Sequence, residues 1–311
     1  MALNVACLTM QLKERLMNSS KTLSLSWLTI FYLVFTILAF SSIEIIANPI
    51  RNDVAPMIIT FWRFALGSLF LWPVMLLRKR KELQAISAGQ HFSLFLLGAL
   101  NIIISMGAHA VCMKYARAST AAILIAANPI ATNFFSWLIA REEMPVRRVI
   151  ALMMGLAGVV MLALKPDSAV DTPVGIAAGI VGMTGFGLYT VLSKKMVQQH
   201  GSIVVTTISS SSALLAYIPL LLLSGQGLTP VSDAWSRLVL LGVMGSGLGY
   251  VTFFKALEAM PAGRASYLFF FKPPVAIVLA WLILGEEPGV VAILGTLMIM
   301  GGILVENLRK K

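Results

Sequence analysis

Residues 128–144 read NPIATNFFSWLIAREEM, and residues 272–288 read KPPVAIVLAWLILGEEP. The two stretches align without a gap at an offset of 144 positions. Pro129 falls on Pro273, Trp137 on Trp281, and Glu142-Glu143 on Glu286-Glu287; farther along, Gly158 falls on Gly302. An internal repeat of this kind sets the folding unit, so it is read before anything else. The match extends outward. At an offset of 141, Ser105 pairs with Ser246 and Lys114 with Lys255, the three-residue change being absorbed by the turn at Ala259-Met260-Pro261. At an offset of 146 a weaker match pairs Phe40 with Phe186.

The repeat lies in a very apolar chain. Of 311 residues, 58% belong to the apolar set and only 12% are charged, about half the charged share of a soluble domain. This excludes a soluble enzyme and a disordered chain. Ten apolar runs can be cut out: Trp27–Ala47, Met57–Leu77, Phe92–Met113, Ser119–Ala140, Val149–Leu164, Val174–Leu192, Ile203–Leu223, Leu238–Leu257, Ser266–Leu284 and Val290–Val305. Lipid offers the backbone no hydrogen-bond partner, so runs of this length must be helices. They are too long and continuous for barrel strands. The first run exceeds a signal-peptide core and lacks a clean cleavage site, so it is read as a retained span. Met10 and Met17 are further possible start codons in the polar tail 1–26.

The net charge of +11 is read as positive-inside bias rather than as a nucleic-acid footprint. With the N-terminus placed in the cytoplasm, 17 Lys and Arg fall inside and five outside, while Arg63 and Lys272 fall within runs. Both termini are therefore expected inside and the span count even. Five spans per repeat is an odd number, so the second copy enters the bilayer from the opposite face. The expected fold is all-α integral membrane, with ten transmembrane helices as two inverted five-helix repeats around a central cavity. The first repeat occupies 27–165 and the second 173–306, followed by a basic cytoplasmic tail at 307–311. Inverted repeats of this kind are a transporter signature.

The second half, KALEAMPAGRASYLFFFKPPVAIVLAWLILGEEPGVVAILGTLMIMGGILV, resembles EamA-type members of the drug/metabolite transporter superfamily. The resemblance rests on Ala256-Leu257, Pro261-Ala262, Ala265-Ser266, Pro274-Val275, Gly285-Glu286 and Gly301-Gly302. The first half carries a degenerate version, with Pro129 and Glu142 but Arg141 where the pattern has Gly. Arg63-Phe64 also looks like the family's Arg-Phe, and Lys272 departs from the pattern. The resemblance implies a ten-helix basket that exports small metabolites, amino acids and their analogues among them, without ATP hydrolysis. It implies a secondary transporter of the inner membrane rather than an enzyme. The alternatives are an exporter of cationic drugs or other metabolites, and a non-transporting membrane scaffold. No cofactor is expected: there is no phosphate-binding loop, and the only histidines are His91, His109 and His200. Expected partners are a small-molecule substrate and the lipid bilayer, with no nucleic acid. The matching shortness of the fifth and tenth runs marks a bundle edge for a homodimer contact.

Polar groups inside apolar runs are costly and usually face protein or a wet cavity. Asn101, Ser105 and His109 recur every fourth residue and are expected to share one helix face. Their repeat mates are Gly242, Ser246 and Tyr250. The face is read either as a cavity wall or as helix–helix hydrogen bonding. Glu44 and Arg63 are expected to pair, as a structural ion pair or as a gate sensitive to protons or substrate. Lys272 precedes Pro273-Pro274, and proline frees carbonyls four residues back. Its ammonium is read as either reaching the inner surface or holding a substrate carboxylate. Asn128, before Pro129, is its mate. Tyr189 completes the candidate site, being preceded by Gly185 and Gly187 much as Tyr250 is by Gly247 and Gly249.

Overall fold

The computed structural model of the protein describes residues 27–50, 53–116, 118–163, 172–225, 232–284 and 289–307. Among the described residues every regular element is helical. In chain order they are α1 Trp27–Ala47, α2 Pro56–Arg78, the short α3 Arg80–Gln84 and α4 Ala88–Tyr115. Then follow α5 Ala118–Ala126, α6 Asn128–Leu138, α7 Val146–Ala163, α8 Pro173–His200 and α9 Ser202–Leu223. The last four are α10 Trp235–Ala259, α11 Ala262–Ser266, α12 Leu268–Leu284 and α13 Val290–Asn307. Six of them, α1, α2, α4, α8, α9 and α10, are long and apolar enough to cross a membrane.

Local chemistry sets several of the ends. Pro56 and Pro173 sit in the first turns of α2 and α8, where a missing N–H costs nothing. Ser87 and Gln90 cap α4 reciprocally, each side chain bonding the other's backbone N–H. Gly201, at φ +78°, ends α8 in the left-handed region and turns the chain directly into α9. α8 outruns its apolar run Val174–Leu192 by two turns and carries Lys194 and Lys195 with it.

Large apolar side chains are exposed as well as buried, and several polar ones are buried. Leu77 and Leu223 are each 85% exposed, whereas Asn133, Thr132, Ser136, Thr190 and Ser193 are fully buried. Apolar side chains outside and polar ones between helices are what a hydrocarbon solvent selects. Helix pairs in contact include α1 with α12, α8 with α6, α2 with α10, and α9 with α4. α1 also packs on α10, α8 on α4, α2 on α9, and α7 on α13. Glycine permits the closest of these approaches. A Cβ on Gly67 of α2 would lie 2.7 Å from the Gly242 carbonyl oxygen and 2.9 Å from the Gly247 nitrogen of α10.

Two of the apolar runs prove to be interrupted. Run 119–140 breaks at Ala127 into α5 and α6, and the chain breaks again at Tyr267 between α11 and α12. The first break has a legible cause. Pro129 cannot donate to the Ile125 carbonyl, and the Asn128 side-chain amide donates to it instead, at 2.9 Å. The second break precedes Pro273-Pro274 by six residues, and both prolines lie inside α12. There Tyr267 and Phe270 close tight turns onto the carbonyls of Arg264 and Tyr267, at 3.2 and 3.0 Å. α4 and α10 each contain a π-helical stretch, at Ala99–Met106 and Leu241–Gly249. These widened turns sit at matching places in the two halves.

Arg141 is the only non-glycine residue with positive φ among the described residues, at +52°. The aligned position in the second half is Gly285. A side chain in this region costs about 1–2 kcal/mol. Arg141→Gly is therefore expected to stabilise the protein by about 1 kcal/mol, the extra unfolded-chain entropy of glycine offsetting the rest. A rise in thermal midpoint in detergent would check this, and a fall would show that the Arg141 side chain contributes more than its backbone costs.

Candidate functional site

The interior of the bundle contains two layers of different chemistry. The first is cationic. Arg63, seven residues into α2, places its guanidinium 4.9 Å from the Phe64 ring centroid and Nη2 3.6 Å from the Met106 sulfur. Arg63 and Lys272 both lie within electrostatic reach of His109. Arg63 is also within electrostatic range of the phenols of Tyr217 and Tyr250. Five elements supply these groups: α2, α4, α9, α10 and α12. Arg63, His109 and Lys272 are each partly exposed.

The second layer is aromatic and sealed. Tyr250 stands at its centre, buried, with ring centroids 5.4 Å from Phe40, 5.5 Å from Phe64 and 6.5 Å from Tyr189. Phe40 and Phe186, which the repeat pairs, both pack on Phe269, at 5.7 and 5.1 Å. Phe253 and Phe254 complete the layer. Phe253 precedes the end of α10 by six residues and Phe269 follows the start of α11 by seven. At 1.5 Å per residue, this floor lies about 10 Å from the α10–α11 turn. Arg63 lies about 10 Å from the opposite end, where α2 begins.

The two layers meet at one polar contact. The Tyr250 hydroxyl donates to Asn101 Oδ1 at 3.4 Å, both residues buried. This joins two expected site residues, from the π-helical regions of α4 and α10. The stripe Asn101, Ser105, His109 does not present a single face to a single neighbour. Ser105 Oγ donates to the Gly182 carbonyl of α8 at 2.7 Å, so it serves helix packing, while Asn101 turns to α10 and His109 to the cations. The wide π turn fans side chains that an ideal helix would stack.

The other expected residues fall as follows. Ser246 is buried, and its hydroxyl has no hydrogen-bond partner among the described residues. Asn128 is fully buried; its amide donates to Ile125 and its Oδ1 is unpartnered among the described residues. Tyr189 lies in the aromatic floor, 5.8 Å from Phe254. Lys272 is half-buried on α12, and its carbonyl accepts from Ser41 Oγ at 3.1 Å. Pro129 opens α6. Glu44 lies on α1, but its side chain is outside the described residues, as are Glu286 and Glu287, so the Glu44–Arg63 pair stands as an expectation.

Several residues of this interior escaped the sequence reading. Ser209, Ser210, Ser211 and Ser212 form a run in α9, and Ser211 accepts the Trp72 indole N–H at 2.9 Å. The cost of polar groups in an apolar run would have flagged them. The pairing of Trp62 with Trp235, centroids 4.6 Å apart, joins two distant segments and left no local sequence signal. No group of three or more potential metal-ligating side chains is found among the described residues.

Comparison with known proteins agrees with this architecture. The EamA-like transporter family matches residues 21–164 and again residues 173–308. An uncharacterized transporter of Clostridium kluyveri is 28% identical over 284 residues, covering 88% of this chain and 91% of that one. A probable terminal-alkyne amino-acid exporter of Streptantibioticus cattleyicolor is 25% identical over 197 residues, covering 62% of this chain and 65% of that one. A solved crystal structure at 18% identity superposes with a TM-score of 0.78, covering 90% of this chain and 96% of its own, and shows the same fold. With the match repeated in each half and the apolar helices to span a bilayer, this chain is a multi-pass membrane protein that belongs to the EamA-like transporter family.

Proposed function

We propose that the protein is a secondary active transporter that exports small amino-acid-like metabolites across the inner membrane by alternating access. Its ten spans form two inverted five-helix repeats, with both termini cytoplasmic. The convergence of Arg63, Lys272 and His109 above the Asn101–Tyr250 pair carries the substrate reading. Cations within membrane-spanning helices are costly and mark substrate or ion sites. A carboxylate bound by Arg63 and Lys272, with its other polar groups at Asn101 and Tyr250, fits that chemistry. The cargo of the Streptantibioticus relative, an amino acid by its name, is of the same class.

The pattern of helix pairs supports the inverted repeat. Exchange α1 with α8, α2 with α9, α4 with α10, α5–α6 with α11–α12, and α7 with α13. The pair α1–α12 then becomes α8–α6, α2–α10 becomes α9–α4, and α1–α10 becomes α8–α4, all of which occur. α2–α9 and α7–α13 map onto themselves.

The test is a substrate panel in proteoliposomes, with and without a pH gradient, alongside the resistance of expressing cells to toxic amino-acid analogues. Counterflow of one amino-acid class and a gain of resistance are expected. Transport confined to organic cations would replace the carboxylate reading. Absence of any flux, with folded protein in the membrane, would favour the scaffold.

A further inference from the structure

We propose that Glu142 is the latch that holds the two repeats together at the cytoplasmic end, and that inward opening requires its release. This rests on the repeat and orientation just proposed. The carboxylate lies in the loop between α6 and α7, whose backbone is fixed by the Glu142 N–H donating to the Ser136 carbonyl at 3.0 Å. From there it crosses to the other half. Oε1 accepts the Ala262 N–H at 2.9 Å and Oε2 accepts the Gly263 N–H at 3.3 Å. These two amides follow Pro261 in the first turn of α11, where no helical carbonyl is available to them.

Two further contacts cross the same seam, and a third braces Glu142 from its own half. Lys194 Nζ, on the extension of α8, stands 3.8 Å from Oε1. Arg148 Nη1 stands 4.0 Å from Oε2 and donates to the Glu143 carbonyl at 2.7 Å. Asn133 Nδ2 donates to the Gly263 carbonyl at 3.1 Å. Glu142, Asn133 and Arg148 belong to the first half, while Lys194, Ala262 and Gly263 belong to the second. The Glu142 side chain is 14% exposed, so its contacts are poorly screened by water. The latch and the aromatic floor lie at the same end of the site, so both stand between the Arg63–Lys272 pair and the cytoplasm. The break at Tyr267 frees α11 to move with respect to α12.

The test uses full-length protein with Cys7→Ser and Cys112→Ala, carrying one reporter at a time. Ser136→Cys reports from beneath the latch, and His109→Cys reports from the other side of the floor. Labelling by a membrane-impermeant maleimide is followed in right-side-out and inside-out vesicles. Glu142→Gln keeps the shape and removes the charge. Gly263→Ala acts without removing it, since the new Cβ would lie 2.5 Å from Asn133 Oδ1 and 3.2 Å from Glu142 Oε2. Both variants are expected to speed labelling at 136 from the cytoplasmic face about 10- to 100-fold, the worth of the lost charge-assisted bonds. Both should slow labelling at 109 from the opposite face, because one population grows as the other shrinks. Glu142→Asp, which retains the charge, should fall between. Unchanged rates overturn the latch, as does faster labelling at both reporters, which signals loosening rather than a shift. Reporters that label from the same face would instead overturn the underlying topology.

Discussion

Lys272→Ala is expected to lower transport of a zwitterionic or anionic amino acid about 10- to 100-fold, with most of the loss in KM. The size follows from removing one charge-assisted hydrogen bond to a carboxylate, about 1.5–3 kcal/mol, in a site where water competes poorly. Lys272 and Arg63 both lie within electrostatic range of His109, so removing Lys272 also lowers the positive potential there. Transport of a monovalent organic cation should therefore hold or improve. Paired uptake assays in proteoliposomes, with one substrate of each charge, measure the contrast. An equal loss for both would show that Lys272 supports the helix and not the cargo. No loss for either would remove it from the site.

Gly98→Ala is expected to destabilise the protein by about 2–3 kcal/mol, or to prevent its accumulation. A Cβ at Gly98 of α4 would collide with the Ser209 carbonyl of α9 and lie 2.9 Å from the Ala213 Cβ. The obstacle is backbone, which cannot swing aside as a side-chain tip can. Relief demands that two packed helices separate, and overpacking on that scale costs 1–3 kcal/mol or more. Gly89→Ala is the matched control, because nothing lies within 4 Å of its built Cβ. Thermal unfolding in detergent, read with the elution profile of the folded fraction, should separate the two. A Gly98→Ala protein as stable as the control would mean that the α4–α9 contact can loosen at little cost.

Much of this architecture was legible in the chain. Ten apolar runs and the 128–144/272–288 match led to a helical membrane protein with a duplicated unit, and the family is matched once in each half. Lys272 and Arg63, picked out as charges within apolar runs, both lie within electrostatic range of His109. What escaped depends on local geometry that periodicity cannot carry. The every-fourth-residue spacing of Asn101, Ser105 and His109 assumed an ideal helix, but Ala99–Met106 is π-helical. Tyr250 was read as the repeat mate of His109, yet its hydrogen bond is to Asn101. Glu142 served only as a marker of the repeat, because the amides it binds lie some 120 residues away. The Asn128–Pro129 pair marked a site of interruption, but nothing in Arg264–Phe270 distinguishes a break at Tyr267 from a continuous helix.

Those two breaks do not fall at equivalent residues. Under the 144-residue offset Ala127 corresponds to Phe271, four residues beyond Tyr267. A carrier whose halves trade roles would rest with equal weight on either side only if the halves were identical. Here they are not, so under the proposed alternating access the empty protein is expected to wait more often on one side than the other. Microscopic reversibility keeps such a bias from accumulating anything against a gradient. It sets which compartment a free binding site samples first, and net direction must still come from the solutes themselves.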